Sequence, residues 1–220
     1  NLGIAEAQNI ALKKIMEYDY DYVVFLDQDS RVPDEYCSLI VHEFIRIDNG
    51  RLAAIGPIVY NKENGNAYKS IIHRYSMSTD AYSCRNHIIS SGSCKSIKEI
   101  GLMDSVMFID YVDYEWCWRA LAKGYFCGVT NNLSIYHRVG QRELSIGIYK
   151  VIISAPQRYF YQYRNFIWLI QKKYVPLQWK IATGIKFALR MVYFPLFVNG
   201  GYICWRYMIK GIGAGIWKKK

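Results

Sequence analysis

The chain has 220 residues, 52% of them hydrophobic, a composition that fits one sizeable domain with an appendage and excludes an unfolded, low-complexity chain. Its net charge of +10 is unevenly spread: all 18 acidic residues fall in residues 1–150, and residues 151–220 hold 12 Lys and Arg with no acid. Such asymmetry points to a polyanionic partner, and the long apolar stretches between the basic residues favour a membrane surface over nucleic acid. Six cysteines without a CxxC pair argue against a metal finger and read as thiols in a reducing compartment.

The first residues, NLGIAEAQNIAL, lack an initiator Met and already read as a helix start, so the chain is expected to begin inside a larger protein. Ile4, Ala7, Ile10, Ala11 and Ile15 predict a helix over 3–17. YDYDYVVFLD predicts a strand whose unbroken VVFL run suits burial on both faces. Pro33, Asp34 and Glu35 suit a helix first turn, with CSLIVHEFIRI as the helix and Asn49-Gly50 as its stop. AAIGPIVY is the next strand, KENGNAYKS a loop, and HIIS a strand running into Ser91-Gly92-Ser93. A short helix, KSIKEIGL, follows. VMFIDYVDYEWCWRALAKGY reads as a strand-like start turning into a helix, and CGVTNNLSIYH as a strand. Alternating strands and helices predict an α/β domain with a mostly parallel sheet over 1–150.

Composition changes near residue 150. Residues 156–174 predict an aromatic-rich amphipathic helix. Residues 181–217 are apolar but interrupted by Lys186, Arg190, Pro195, Asn199, Gly200-Gly201 and Arg206. That pattern predicts two interfacial helices rather than a membrane span, with packing on another part of the protein as the competing reading.

Three groups could carry chemistry. Asp27 and Asp29 follow an apolar strand, where ligands of open α/β sheets bind, and paired carboxylates suit Mg2+ or Mn2+. The competing reading is that Asp29 and Ser30 shape a turn. Asp110, Asp113 and Glu115 sit at a helix entrance, where acids are stabilising in any case. A carboxylate there, beside a metal-bound diphosphate, could also be a general base. His137 follows a short strand and is either structural or a metal ligand.

NLGIAEAQN, LDQDS, SSGS, FIDYVDYEWCWRA and YHRVG, in this order, together resemble the family 2 glycosyltransferases of the GT-A fold. RYFYQYRNFIWLIQKKYVPLQWK is similar to the C-terminal extension of one branch, and the combination looks most like bacterial rhamnosyltransferases of cell-surface polysaccharide synthesis. The resemblance implies a GT-A (Rossmann-like) domain, here lacking its first strands, plus a basic aromatic helical extension over 151–220. It implies that Asp29 and His137 bind the metal, Asp27 holds the nucleotide, and Asp113 is the catalytic base with Asp110 as helper. Asn1, Gly3 and Ala7 would lie near the donor nucleotide, and Ser91 and Gly92 in a loop beside donor sugar and acceptor. Arg158, Arg164 and Asn165 match the extension's pattern as diphosphate or acceptor contacts. The implied reaction is inverting transfer of L-rhamnose from dTDP-L-rhamnose to a lipid-linked glycan, at the cytoplasmic face of the bacterial plasma membrane. The alternatives are another donor (galactofuranose or a UDP-hexose), two-metal nucleotidyl transfer, or a membrane-binding remnant without activity.

Overall fold

β2 (Leu52–Asn61) is the strand on which the sheet is built, and the reason lies in its residues. Leu52 to Gly56 form a run without polar alternation, and Leu52, Ala53, Ala54 and Ile55 are all buried, as a strand covered on both faces requires. The computed structural model describes residues 1–26, 32–61, 91–137, 142–146 and 149–217. Among these, four strands form a mixed sheet in the order β1 (Tyr22–Val23), β3 (Ser91–Ser93), β2, β4 (Phe126–His137). β2 runs parallel to β4, whereas β3 is antiparallel to both β1 and β2, so β1, β2 and β4 share one direction.

The sheet and its helices belong to one of two compact units, residues 7–103 with 116–139. Its core joins Tyr36, Ile40 and Phe44 of α2 (Tyr36–Ile47) to Leu52, Ile55 and Val59 of β2 and Ile135 of β4. These α2 residues recur every four positions, the spacing that puts one helix face on a sheet. The register of β2 on β4 slips between Pro57 and Ile58, so Pro57 pairs with Thr130 and Ile58 with Ser134. A proline has no N–H to give a ladder, and a register shift is where one is tolerated. Glu43 of α2 pins the irregular stretch, accepting hydrogen bonds from Thr130 Oγ1 at 2.7 Å and Asn132 Nδ2 at 3.0 Å.

Several elements differ from the sequence expectation. Strand pairing of YDYDYVVFLD covers Tyr22 and Val23 alone, because its neighbour β3 is three residues long. Ser91 and Gly92, expected in a loop, are strand residues: Gly92 is paired to Val23 on one side and Ala54 on the other. Pro33, Asp34 and Glu35 precede α2 rather than form its first turn; Glu35 is the N-cap and makes no side-chain cap bond. The HIIS and KENGNAYKS expectations lie outside the described residues.

The other unit comprises residues 1–6, 104–115 and 140–220. It holds a hairpin, β5 (Arg142–Ile146) with β6 (Tyr149–Ile153), and α5 (Pro156–Gln171), α6 (Leu177–Phe197) and α7 (Gly201–Trp217). Tyr159 and Tyr163 of α5, Phe187 and Phe194 of α6, and Cys204 and Met208 of α7 make its core. α7 lies hard against α5 at Gly211, where a Cβ would sit 2.4 Å from the Phe160 carbonyl oxygen, so only glycine permits that approach. Arg190 is buried among the rings of Tyr159, Phe187 and Phe194, with its guanidinium 5.4–5.6 Å from each centroid. No helix among the described residues is long and apolar enough to cross a membrane.

Candidate functional site

The segment leading into Asp113, the expected base, belongs to the second unit. Its sequence, VMFIDY, is rich in strand formers, yet it forms a 3-10 turn at Ser105–Met107 and no strand. Phe108, Asp110 and Tyr111 have φ of 63°, 65° and 66°, a conformation that side chains other than glycine rarely adopt. Such a backbone persists where its surroundings over-determine it, and here they do.

Asn165 of α5, wholly buried, donates through Nδ2 to the carbonyls of Met107 at 2.9 Å, Ile109 at 2.8 Å and Asp110 at 3.0 Å. Its Oδ1 accepts from Arg164 Nε at 3.1 Å and Nη2 at 2.9 Å, which fixes which end of the amide faces the loop. Arg164 Nη2 also donates to the carbonyls of Val106 at 2.8 Å and Met107 at 3.0 Å. The Phe108 carbonyl accepts from the backbone N–H of Ile4, at 2.7 Å, at the exposed N–H end of α1 (Ile4–Ile15). Carbonyls that a strand would have given to a ladder are thus taken by a side-chain amide, a guanidinium and a helix start. This is the physical reason that the expected strand is absent.

The acids follow directly. Asp110 receives Arg158 in a two-point contact, Nη2 to Oδ1 at 2.6 Å and Nε to Oδ2 at 3.2 Å. The Asp110 carboxylate raises the pKa of Arg158, while burial lowers that of Arg164. Burial and the adjoining Asp110 charge push the Tyr111 hydroxyl up, so Tyr111 stays neutral. Asp113 is in the first turn of α4 (Val112–Ala122), and Glu115, also in that turn, is buried and accepts from the Tyr174 hydroxyl.

Asn1 accepts from the Gly3 backbone N–H at 3.0 Å through its side chain. Gly3 has φ of 81°, and a Cβ there would lie 2.6 Å from the Phe108 carbonyl oxygen. Gly3 therefore fits the same held loop. Ala7 is exposed on α1. Ser91 and Gly92 are in β3, and His137 ends β4, where its backbone lies opposite Asn61. Asp27 and Asp29 lie outside the described residues. Asp110, Asp113, Arg158, Arg164, Asn165, Asn1 and Gly3 share one compact unit; Ala7, Ser91, Gly92 and His137 belong to the other. Among the described residues, no group of three or more His, Cys, Asp or Glu side chains is arranged to hold a metal ion. Of the two expected metal ligands, Asp29 lies outside the described residues and His137 ends β4.

Sequence reasoning missed Asn9. It is buried on α1 and makes a two-way bond with the Met103 backbone, 2.9 Å in each direction. A polar residue on the inner face of an otherwise apolar helix stripe was the available signal.

Over 190 residues, 80% of this chain, the sequence is 32% identical to a dTDP-rhamnosyl transferase, RfbF, of Shigella flexneri. The chain is a relative of a rhamnosyl transferase. It spans 62% of that protein's length. No family model matches the chain. Among solved structures, a mannosyltransferase from Pyrobaculum calidifontis in complex with GDP-Man and Mn2+ is similar over 99% of this chain and 68% of its own. Sequence identity there is 11% and the TM-score 0.49, too loose a likeness to carry an argument.

Proposed function

We propose that the protein is an inverting glycosyltransferase that moves L-rhamnose from dTDP-L-rhamnose to a hydroxyl of a glycan acceptor, with Asp113 as general base. The observation that carries the reading is the identity of 32% over 190 residues to a dTDP-rhamnosyl transferase. Consistent with it, the chain builds a rigid, hydrogen-bonded approach to an acid at a helix start.

In this reading the Asp113 carboxylate takes the proton of the acceptor hydroxyl. The acceptor oxygen forms its bond to the anomeric carbon from the face opposite the diphosphate. The bond from that carbon to the diphosphate oxygen breaks, and dTDP leaves with the electron pair. Asp113 contributes through position as much as basicity, since a small misplacement of a reacting group costs a large factor in rate. Asn165 and Arg164 are positioning residues, because they hold the backbone that enters α4. Asp27 is proposed as a nucleotide contact. Asp29 and His137 are the proposed ligands of Mg2+ or Mn2+, whose charge offsets that of the diphosphate when bound. The acceptor is proposed to be a lipid-linked glycan.

A donor screen tests the proposal. The purified protein is offered dTDP-L-rhamnose, UDP-hexoses and a galactofuranose donor, and nucleoside diphosphate release is followed by mass spectrometry. Release of dTDP from dTDP-L-rhamnose above all other donors is expected. Release of UDP from a UDP-sugar as the dominant product would assign the donor differently, and release of pyrophosphate from a nucleoside triphosphate would remove glycosyl transfer.

A further inference from the structure

α6 has two faces, and the catalytic reading uses neither. One face carries Phe187, Arg190 and Phe194 into the core with α5 and α7. The other presents Leu177, Ile181, Ile185, Leu189, Val192 and Leu196, each between 55 and 69% exposed. These positions advance by four or three residues, so they form one continuous apolar stripe along five turns of helix. No charged residue interrupts the stripe; the exposed Lys186 lies to its side. A soluble surface rarely leaves a patch of this length uncovered without a partner.

Charge identifies the partner. Residues 151–220 carry 12 basic residues and no acidic one. Lys173 lies just before α6, and Arg206 and Lys210 are exposed on α7 beside the apolar Tyr202, Ile209 and Ile216. A second copy laid on the stripe would bring two wholly basic segments together, which like-charge repulsion opposes. A nucleic acid would meet an apolar centre that its phosphates cannot solvate. A surface that is apolar below and anionic above satisfies both features, and that is the headgroup region of a bilayer containing acidic phospholipid. α6 does not need to span such a bilayer, and its composition does not suit spanning.

We propose that the exposed face of α6, with the exposed Lys173 before it and Arg206 and Lys210 of α7, docks flat on an anionic phospholipid surface. Leu177 to Leu196 enter the headgroup–acyl boundary while Lys and Arg meet the lipid phosphates. The inference stands on the helix and its charges and does not depend on the reaction the protein performs.

Vesicle co-sedimentation of the intact protein tests it. Vesicles of phosphatidylcholine with phosphatidylglycerol are compared with phosphatidylcholine alone, at low and high salt. Binding to the anionic vesicles about tenfold or more tighter, and weakened by salt, is expected. Ile185→Glu with Leu189→Glu is expected to remove it while leaving the melting curve unchanged, since both side chains point to solvent. Ile181→Gln with Val192→Gln alters the apolar face without adding charge and is expected to weaken binding about tenfold or more. Vesicle binding that is absent, equal on the two vesicle types, or unchanged in both variant pairs overturns the proposal. So does a dimer in solution that the same substitutions dissociate.

Discussion

The side-chain amide of Asn165 donates to the backbone carbonyl of Asp110 at 3.0 Å, three residues ahead of Asp113. The same amide reaches Met107 and Ile109, so its two N–H groups are shared among three carbonyls that no strand satisfies. The loop's left-handed residues and the acid it leads to are therefore tied to α5 through one buried side chain.

Asn165→Ala is expected to cost about 1–3 kcal/mol of stability, because it orphans buried carbonyls. It is also expected to lower kcat by about a hundredfold, through misplacement of Asp113, with donor KM little changed. Asn165→Asp, which keeps the size but cannot donate, should behave like the alanine variant. Kinetics at a temperature where both variants remain folded check this. A normal kcat in folded Asn165→Asp would detach the amide from the site.

Arg158 and Asp110 should be energetically coupled. Asp110 is largely enclosed, with 9% of its side chain exposed, while Arg158 is 44% exposed, so solvent screens one side of the pair. A double-mutant cycle of Arg158→Met and Asp110→Asn is expected to give a coupling energy of about 1 kcal/mol, falling at high salt. Strictly additive effects would contradict the two-point contact.

Glu43 should make stability depend on pH. Hydrogen bonds from Arg46 first, opposed by partial desolvation and aided by Thr130 and Asn132, hold its carboxyl at about 2 against an ordinary 4.5. A depressed carboxyl stabilises the folded state above the unfolded pKa. That contribution is lost as pH falls from about 4.5 through about 2. Glu43→Gln is therefore expected to melt lower than the parent at pH 7, with the gap closing through that window. A gap that persists unchanged into strong acid would show that Glu43 stays protonated or unpaired in the fold.

What sequence could tell was set by the range of the interactions. α2 was legible because Tyr36, Ile40 and Phe44 repeat at helical spacing, and β2 because its apolar run needs no partner to be recognised. The entry to α4 was not. Phe108, Ile109 and Tyr111 favour strands locally, and what overrules them is an asparagine 55 to 58 residues further on. For the same reason the protein partners of Arg158, Arg164 and Asn165 carried no local signal, since Asp110 and the carbonyls they hold lie 48 to 58 residues away in sequence. The position of Asp113 at a helix start was legible, since helix periodicity begins there. That the backbone before it is left-handed carried no signal, as it contains no glycine.

The central claim is that Asp113 is the base of a glycosyl transfer. The direct measurement compares parent and Asp113→Asn for dTDP release from dTDP-L-rhamnose with acceptor present, alongside donor binding by calorimetry. Loss of kcat by about a hundredfold to ten-thousandfold, with donor affinity retained, is the predicted result. Undiminished turnover in folded Asp113→Asn would contradict the account.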